Sequence, residues 1–278
     1  MDTTWSDAAF HADTMEPALT IHGLTVCYAS ACALFSVDYT AATASMNAIV
    51  GPNGAGKSTL IKAALGITPR VSGDILFFGQ PLSRVRARVA YVPQRASIDW
   101  HFPATAYDVV AMGMYRELGW LRPWRRPHRL RVLSCLDQVG MGRFASRQIG
   151  QLSGGQQQRV FVARALAQNA DLFILDEPFA GIDAATERAI ATLLHRLAGT
   201  GKTVICVHHD LATVPEYFDF VMLLNVRNIA IGPVRTIFTP EKVQEAYGGQ
   251  LTPGQLDRLR RDLACRSATP ATTPVAAP

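Results

Sequence analysis

Apolar and polar residues roughly alternate from Leu19 to Val26, which predicts a strand. Ala48-Ile49-Val50 is a short apolar run that ends at a glycine loop, and Ser58–Leu65 after it has helical spacing. Gly73–Phe78 and Val89–Val92 read as two further strands with turn residues between them. From about Ala96 to Gly150 the character changes, and Asp108–Tyr115 and Leu130–Val139 carry apolar residues at helical spacing. After Gly150 the alternating order returns. Gln156–Gln168 and Ala184–Leu197 predict helices, and Leu172–Leu175, Thr203–Val207 and Val221–Val226 predict buried strands. Short apolar strands alternating with helices imply a parallel sheet covered on both faces, with residues 96–150 as a helical insertion.

Both ends lie outside that pattern. Residues 1–17 have no periodicity and read as a loose lead-in, polar and slightly acidic, without the basic start and apolar middle of a secretory signal. Residues 251–278 read as a helix followed by a tail. From Ser267 to Pro278 the composition is almost entirely Ala, Thr and Pro, too poor in apolar bulk to offset the entropy of ordering. No apolar run approaches the ~18–20 residues that cross a bilayer, so the chain is expected to stay in the cytoplasm.

Composition adds limits. Of 278 residues, 49% are hydrophobic and 18% charged, enough to build a sizeable core. The formal charge of +5 fits ordinary surface variation, or a surface that meets anionic lipid heads or nucleotide. Six arginines, Arg116, Arg122, Arg125, Arg126, Arg129 and Arg131, interleave with Trp120 and Trp124. That patch reads as a solvated loop, with a membrane-facing or partner-facing surface as the alternative. Cys27, Cys32, Cys135, Cys206 and Cys265 are odd in number and scattered without a Cys-x-x-Cys pair. A disulfide framework is therefore unexpected, and most are read as reduced thiols acting as small apolar residues.

Three motifs carry chemistry. Gly51-Pro52-Asn53-Gly54-Ala55-Gly56-Lys57-Ser58-Thr59 matches G-x-x-x-x-G-K-[ST] between an apolar strand and a helix. Glycines let consecutive N–H groups turn inward on phosphate oxygens, and the helix N-terminus favours anions. Lys57 supplies a cation for the β- and γ-phosphates, and Ser58 a hydroxyl for magnesium. Leu172-Phe173-Ile174-Leu175-Asp176-Glu177 sets two carboxylates at the C-terminal end of a buried strand, where parallel α/β folds place ligands. Asp176 is the expected magnesium ligand, and Glu177 the base that orients and deprotonates the attacking water. Leu152-Ser153-Gly154-Gly155-Gln156, followed by Gln157, Gln158 and Arg159, is a second phosphate-facing helix start, with Ser153 as cap. One phosphate group has little use for both from one subunit. A head-to-tail pair, each copy's second loop serving nucleotide held by the other, is the economical arrangement.

With these motifs in this order, residues 18–250 resemble the nucleotide-binding subunit of ABC transporters. The resemblance implies a P-loop NTPase fold, α/β, with a mainly parallel sheet core (18–95 and 151–250), an antiparallel β subdomain and an inserted helical subdomain (96–150). It implies ATP and Mg2+ as cofactors and an active ATPase. It further assigns Tyr28 to stacking on adenine, and Gln94 in Tyr91-Val92-Pro93-Gln94 to the magnesium or water. Asp183 in Gly181-Ile182-Asp183 would reach across the dimer, and His209 before Asp210 would contact the γ-phosphate. His208 receives no role, and no third ligand supports a metal site at the histidine pair. The family usually has a Gly-Glu turn before the phosphate loop; here Ser45-Met46 stands there, leaving the local hairpin open.

Asp99-Trp100-His101-Phe102-Pro103, Leu118-Gly119-Trp120-Leu121-Arg122-Pro123, His209-Asp210-Leu211 with Pro215-Glu216-Tyr217-Phe218, and Ala246-Tyr247-Gly248-Gly249 are similar to importers of manganese, zinc and iron. The implied assembly is a homodimer on the cytoplasmic face of the membrane, beneath integral permease subunits served by an external metal-binding protein, with no nucleic acid. A soluble ABC ATPase of DNA repair or translation is the alternative. It fits less well, because Gln94 and the Ser153 loop are only about sixty residues apart, leaving no room for a long coiled coil.

Overall fold

The computed structural model describes residues 16–29, 31–94, 103–119 and 123–267. The expected lead-in up to residue 15, the tail from 268 onward, Asp99–Phe102 and Trp120–Arg122 lie outside the described residues.

Two sheets organise the chain. Strands β1 (Thr20–Tyr28), β2 (Ala31–Thr40) and β4 (Ser72–Leu76) form an antiparallel sheet in the order β2-β1-β4. The second sheet contains β3 (Met46–Val50), β5 (Val89–Val92), β6 (Leu172–Asp176), β7 (Thr203–His208), β8 (Phe220–Asn225) and β9 (Arg227–Pro233). Its order is β5-β6-β7-β3-β8-β9, parallel throughout except for the antiparallel pair β8–β9, and the short helix α2 (Leu82–Val85) lies between β4 and β5 in sequence. Every residue of β3, β6 and β7 is buried, as a parallel strand covered on both faces requires.

Alternate residues of these strands feed two cores. Ala48, Val50, Phe173, Leu175, Val204 and Cys206 face one side, where α3 (Ala106–Met112), α5 (Arg126–Gln138), α6 (Gly154–Gln168) and α7 (Ala184–Gly199) contribute Val110, Leu136, Val160 and Leu194. Ile49, Leu172, Ile174, Ile205 and Val207 face the other, against Leu60 and Ile61 of α1 (Lys57–Ala64) and Leu24 and Val26 of β1. Helices α3 and α5, within 96–150, pack on each other and on α6, which follows that segment. Thr105 starts α3 with a reciprocal capping box to Asp108.

Four readings change. The strand β2 is absent from the sequence reading because its burial pattern is irregular and a register shift accompanies it. The basic segment 116–131 is not simply a loop. Arg116 lies in α4 (Tyr115–Leu118), and α5 begins at Arg126, with Pro127 in its first turn, where a missing N–H costs no helical bond. The turn before β3 forms without Gly-Glu. Ala44 takes φ 50°, Ser45 Oγ donates to Ala42 O at 2.9 Å, and buried Asn47 donates to Ala42 O at 3.0 Å and Val204 O at 3.2 Å. Finally, Cys27 and Cys32 are joined by a disulfide. The β1–β2 register sets them directly opposite each other across a hairpin whose last pair is Tyr28 with Ala31. A search for Cys-x-x-Cys spacing does not see such a cross-strand pair.

Candidate active site

Because β3, β6 and β7 run parallel and adjacent, their C-terminal ends share one edge of the sheet. Val50, Asp176 and His208 close those strands, and the motif loops leave from there. The loop after β3 curls through Gly54 at φ 82° and Gly56 at φ 93°, then opens α1. Its shape is set from outside. A Cβ at Gly51 would meet Leu224 O at 2.0 Å, and one at Gly56 would meet Ala33 O at 2.5 Å. Val226, itself at φ 60°, donates its N–H to Ala55 O at 3.0 Å and accepts from Phe35 N at 2.8 Å. The loop is thus wedged between β2 and the β8–β9 turn. Asn53 and Gly54 are exposed at its tip, with Pro52 and Thr59 half-buried.

Lys57 folds back under this loop and donates to Gly51 O at 2.7 Å and Pro52 O at 2.8 Å. Burial pushes its ammonium below the usual lysine range, opposed by the charges of Glu177 and Asp176. Ser58 Oγ donates to Asp176 Oδ1 at 3.0 Å across 118 residues of sequence. Asp176 is 1% exposed, and burial raises its carboxyl above the ordinary range, against the Ser58 hydrogen bond that lowers it. Glu177 follows at φ 53°, a left-handed conformation rare for a residue with a Cβ. That turn carries its carboxylate away from the strand to accept from Gln94 Nε2 at 2.8 Å. Gln94 stands just beyond β5, the neighbour of β6. The structure therefore brings together Lys57, Ser58, Gln94, Asp176 and Glu177.

Ser153, Asp183, Tyr28 and His209 are positioned by other elements. Ser153 caps α6: its Oγ accepts from Gln156 N at 3.4 Å, and Gln156 Oε1 accepts from Ser153 N at 3.0 Å. Ser153 is exposed, with Gly154, Gly155 and Gln156 half-buried beside it. The nearest groups to a Cβ at Gly155 are the side chains of Ile182 and Thr186, at 3.5 and 3.6 Å. So this loop packs on the segment of Asp183, which caps α7 by accepting from Ala185 N at 3.1 Å and Thr186 N at 2.9 Å. Those bonds, Thr186 first, hold the Asp183 carboxyl below its usual range. Tyr28 is 52% exposed at the tip of the β1–β2 hairpin.

The two histidines divide. His209 is exposed just past the end of β7. His208, unassigned from sequence, is 1% exposed, with Nε2 2.7 Å from Thr213 Oγ1 and Phe179 edge-on at 5.5 Å. Its place as the last residue of an all-buried strand is the signal that identifies it as structural. Val226 and Leu224 are contributors that sequence reasoning missed, since they act on the phosphate loop through their backbone.

The family model for ABC transporters matches residues 34–180. The chain belongs to the ABC transporter family. Its fold is that of an ABC ATPase, and the zinc transport system ATP-binding protein of Treponema pallidum (strain Nichols) is 56% identical over 84% of this chain and 88% of that relative. The manganese transport system ATP-binding protein of Bacillus subtilis (strain 168) is 52% identical over 84% of this chain and 93% of that relative. Among solved structures, the cbiO1 protein of Clostridium perfringens, part of an ABC transporter complex, matches with TM-score 0.70 and 28% identity, covering 91% of this chain and 99% of that one. Among the described residues no helix is long and apolar enough to cross a membrane.

Proposed function

We propose that this ABC ATPase binds and hydrolyses ATP to drive import of a divalent transition metal, zinc, manganese or iron, across the cell membrane. The observation that carries the hydrolytic part is the meeting of Ser58 with Asp176 at 3.0 Å, beside a Glu177 held by Gln94 at 2.8 Å. The cargo reading is supported by the zinc and manganese transport systems named in the relatives, which also favour transport over DNA repair or translation.

The donor set fits Mg2+: a hydroxyl and a buried carboxylate with a raised pKa, both hard oxygens, converge where a cation would restore the carboxylate charge. Bound there by Ser58 and Asp176, with Gln94 nearby, Mg2+ would offset negative charge on the β- and γ-phosphates. The residues of the chain do the rest. N–H groups of the 51–59 loop and the α1 N-terminus cradle phosphate oxygens, and Lys57 exchanges its two carbonyl partners for them. Tyr28 offers an exposed ring to the adenine. Glu177 orients a water and takes its proton, at a position Gln94 fixes. His209, exposed past β7, approaches the γ-phosphate.

The Ser153 loop and Asp183, which pack together at the starts of α6 and α7, serve the nucleotide of a second copy in a head-to-tail homodimer. The helical segment that follows Gln94 meets integral permease subunits from the cytoplasmic face, and an external metal-binding protein delivers cargo to those subunits. Solubilised membranes are the test. Co-purification with an integral membrane protein, and ATP-dependent uptake of zinc, manganese or iron by vesicles holding the complex, are expected. ATPase activity with no membrane partner recovered would overturn the transport reading.

A further inference from the structure

We propose that Cys27 and Cys32 form a reversible thiol–disulfide site, exchanging with low-molecular-weight disulfides, that sets the affinity of the Tyr28 platform for adenine. The inference rests on the ATP-binding role proposed above for Tyr28. Cys27 is the residue before Tyr28, and Cys32 stands opposite Cys27 on β2, one pair below the hairpin tip. The bridge therefore closes the hairpin at the base of the ring and spans five positions of sequence.

Three observations point to exchange and not to a permanent staple. Cys32 is exposed and Cys27 half-buried, so a small disulfide reaches the pair without unfolding. The antiparallel register sets the two side chains against each other before any bond exists, so the dithiol is poised to close. The strands need no covalent help: Leu24, Val26, Leu34 and Val37 are fully buried and hold β1 to β2 in either state. In a reducing compartment a bridge of this kind is transient and reports redox state. Among the cysteines whose side chains are described, this pair is the accessible one. Cys135 and Cys206 are buried, and burial pushes both thiols up, which suppresses the thiolate that reacts.

The exchange balances. A thiolate of one cysteine attacks the reagent R–S–S–R, forming a mixed disulfide and releasing one R–SH after proton uptake. The second thiol, on losing its proton, attacks the protein sulfur of that mixed disulfide, closes Cys27–Cys32 and releases a second R–SH. Two S–H bonds of the protein and the S–S bond of the reagent are lost, and two electrons and two protons pass to the reagent. Once closed, the bridge removes freedom from the residues carrying Tyr28. Less ordering then remains to be done when a base stacks, so the oxidised chain binds ATP more tightly, by about threefold to tenfold. Phosphate binding, which rests on the 51–59 loop, is unaffected.

The full chain is equilibrated in glutathione buffers from fully reduced to fully oxidised. Thiols are then alkylated after denaturation and counted by mass, and binding of ATP and of inorganic triphosphate is measured by calorimetry. The oxidised chain is expected to take two fewer adducts, mapped to Cys27 and Cys32, and to bind ATP about threefold to tenfold more tightly with triphosphate affinity unchanged. Cys32→Ser and Cys27→Ser should each fold normally and bind ATP with the reduced chain's affinity in reducing buffer, and neither should gain affinity in oxidising buffer, where the remaining cysteine goes no further than the mixed disulfide. Alkylation of both cysteines at all glutathione ratios, or equal ATP affinity in the two states, overturns the inference. Absence of ATP binding in both states would instead refute the reading of the nucleotide site.

Discussion

The side-chain amide of Gln94 donates to the carboxylate of Glu177 at 2.8 Å, joining the end of β5 to the end of β6. Glu177 pays for its position with a left-handed backbone, φ 53°, and the amide bond is one of the contacts that keeps it there. If Glu177 is the base, Glu177→Gln keeps the shape and hydrogen-bonding reach but removes proton acceptance. ATP turnover is expected to fall about 10²-fold or more while nucleotide affinity stays within a few-fold. Gln94→Ala leaves the base in place but loosened, and a smaller loss of roughly fivefold to tenfold is expected, the scale of one hydrogen bond. Single-turnover hydrolysis with the two variants side by side gives the order; a Gln94→Ala defect larger than that of Glu177→Gln contradicts the assignment.

Gly155 separates fold from function. A Cβ there meets only ordinary van der Waals neighbours, Ile182 at 3.5 Å and Thr186 at 3.6 Å. Gly155→Ala should therefore leave the melting temperature within about 2 °C, the effect of a few tenths of a kcal/mol. If the phosphates of a nucleotide carried by a second copy come up against this backbone, the added methyl stands in their way, and the same change should cut ATPase activity at least about tenfold and prevent ATP-induced dimerisation. Steady-state hydrolysis by the single variant reads the first effect, and sedimentation in the Glu177→Gln background, where ATP persists, reads the second. A stable variant that dimerises and turns over ATP normally would remove the composite pocket.

Gly51 makes the opposite case. Its added Cβ would lie 2.0 Å from Leu224 O, a backbone atom of the central sheet. Gly51→Ala must move either β8 or the phosphate loop, and a loss of about 1–3 kcal/mol in stability is expected together with loss of ATP binding. Urea unfolding and calorimetry check the two halves separately.

What was legible from sequence follows the physics of each element. Strands β3, β6 and β7 were readable because a strand buried on both faces must be apolar throughout. The cluster of Lys57, Ser58, Asp176 and Glu177 was readable because its chemistry demands those residue types in short motifs. The strand β2 was not, since its apolar alternation is broken by a register shift. Nor was the Cys27–Cys32 bond, which depends on register alone. The grip of Leu224 and Val226 on the phosphate loop runs through backbone atoms and leaves no trace in residue type. The family resemblance separated His209 from His208 by its place before Asp210, and the end of β7 supplies the physical reason, since it buries the first ring of the pair and exposes the second.

His208 gives the pH dependence. Burial, then the charge of His209, lowers its pKa from 6.5 to about 4, opposed by Asp210. His208 Nε2 lies 2.7 Å from Thr213 Oγ1, which also reaches Asp210 O at 3.2 Å, so the neutral ring is hydrogen-bonded inside the fold. The unfolded chain takes up this proton near pH 6.5 and the folded chain only near pH 4, so between those values the unfolded state binds more protons. Stability from this residue is thus full above about pH 7.5, falls as pH drops through 6.5, and is spent by about pH 4. The expected loss is about 2 kcal/mol at pH 5 and about 3 kcal/mol at the acid limit. His208→Gln cannot titrate, so its urea-unfolding free energy should lose about 2 kcal/mol less than that of the parent between pH 8 and pH 5. Equal losses in the two proteins would show that His208 is protonated in the folded state, or that its ring is not the buried neutral wedge between Phe179 and Thr213.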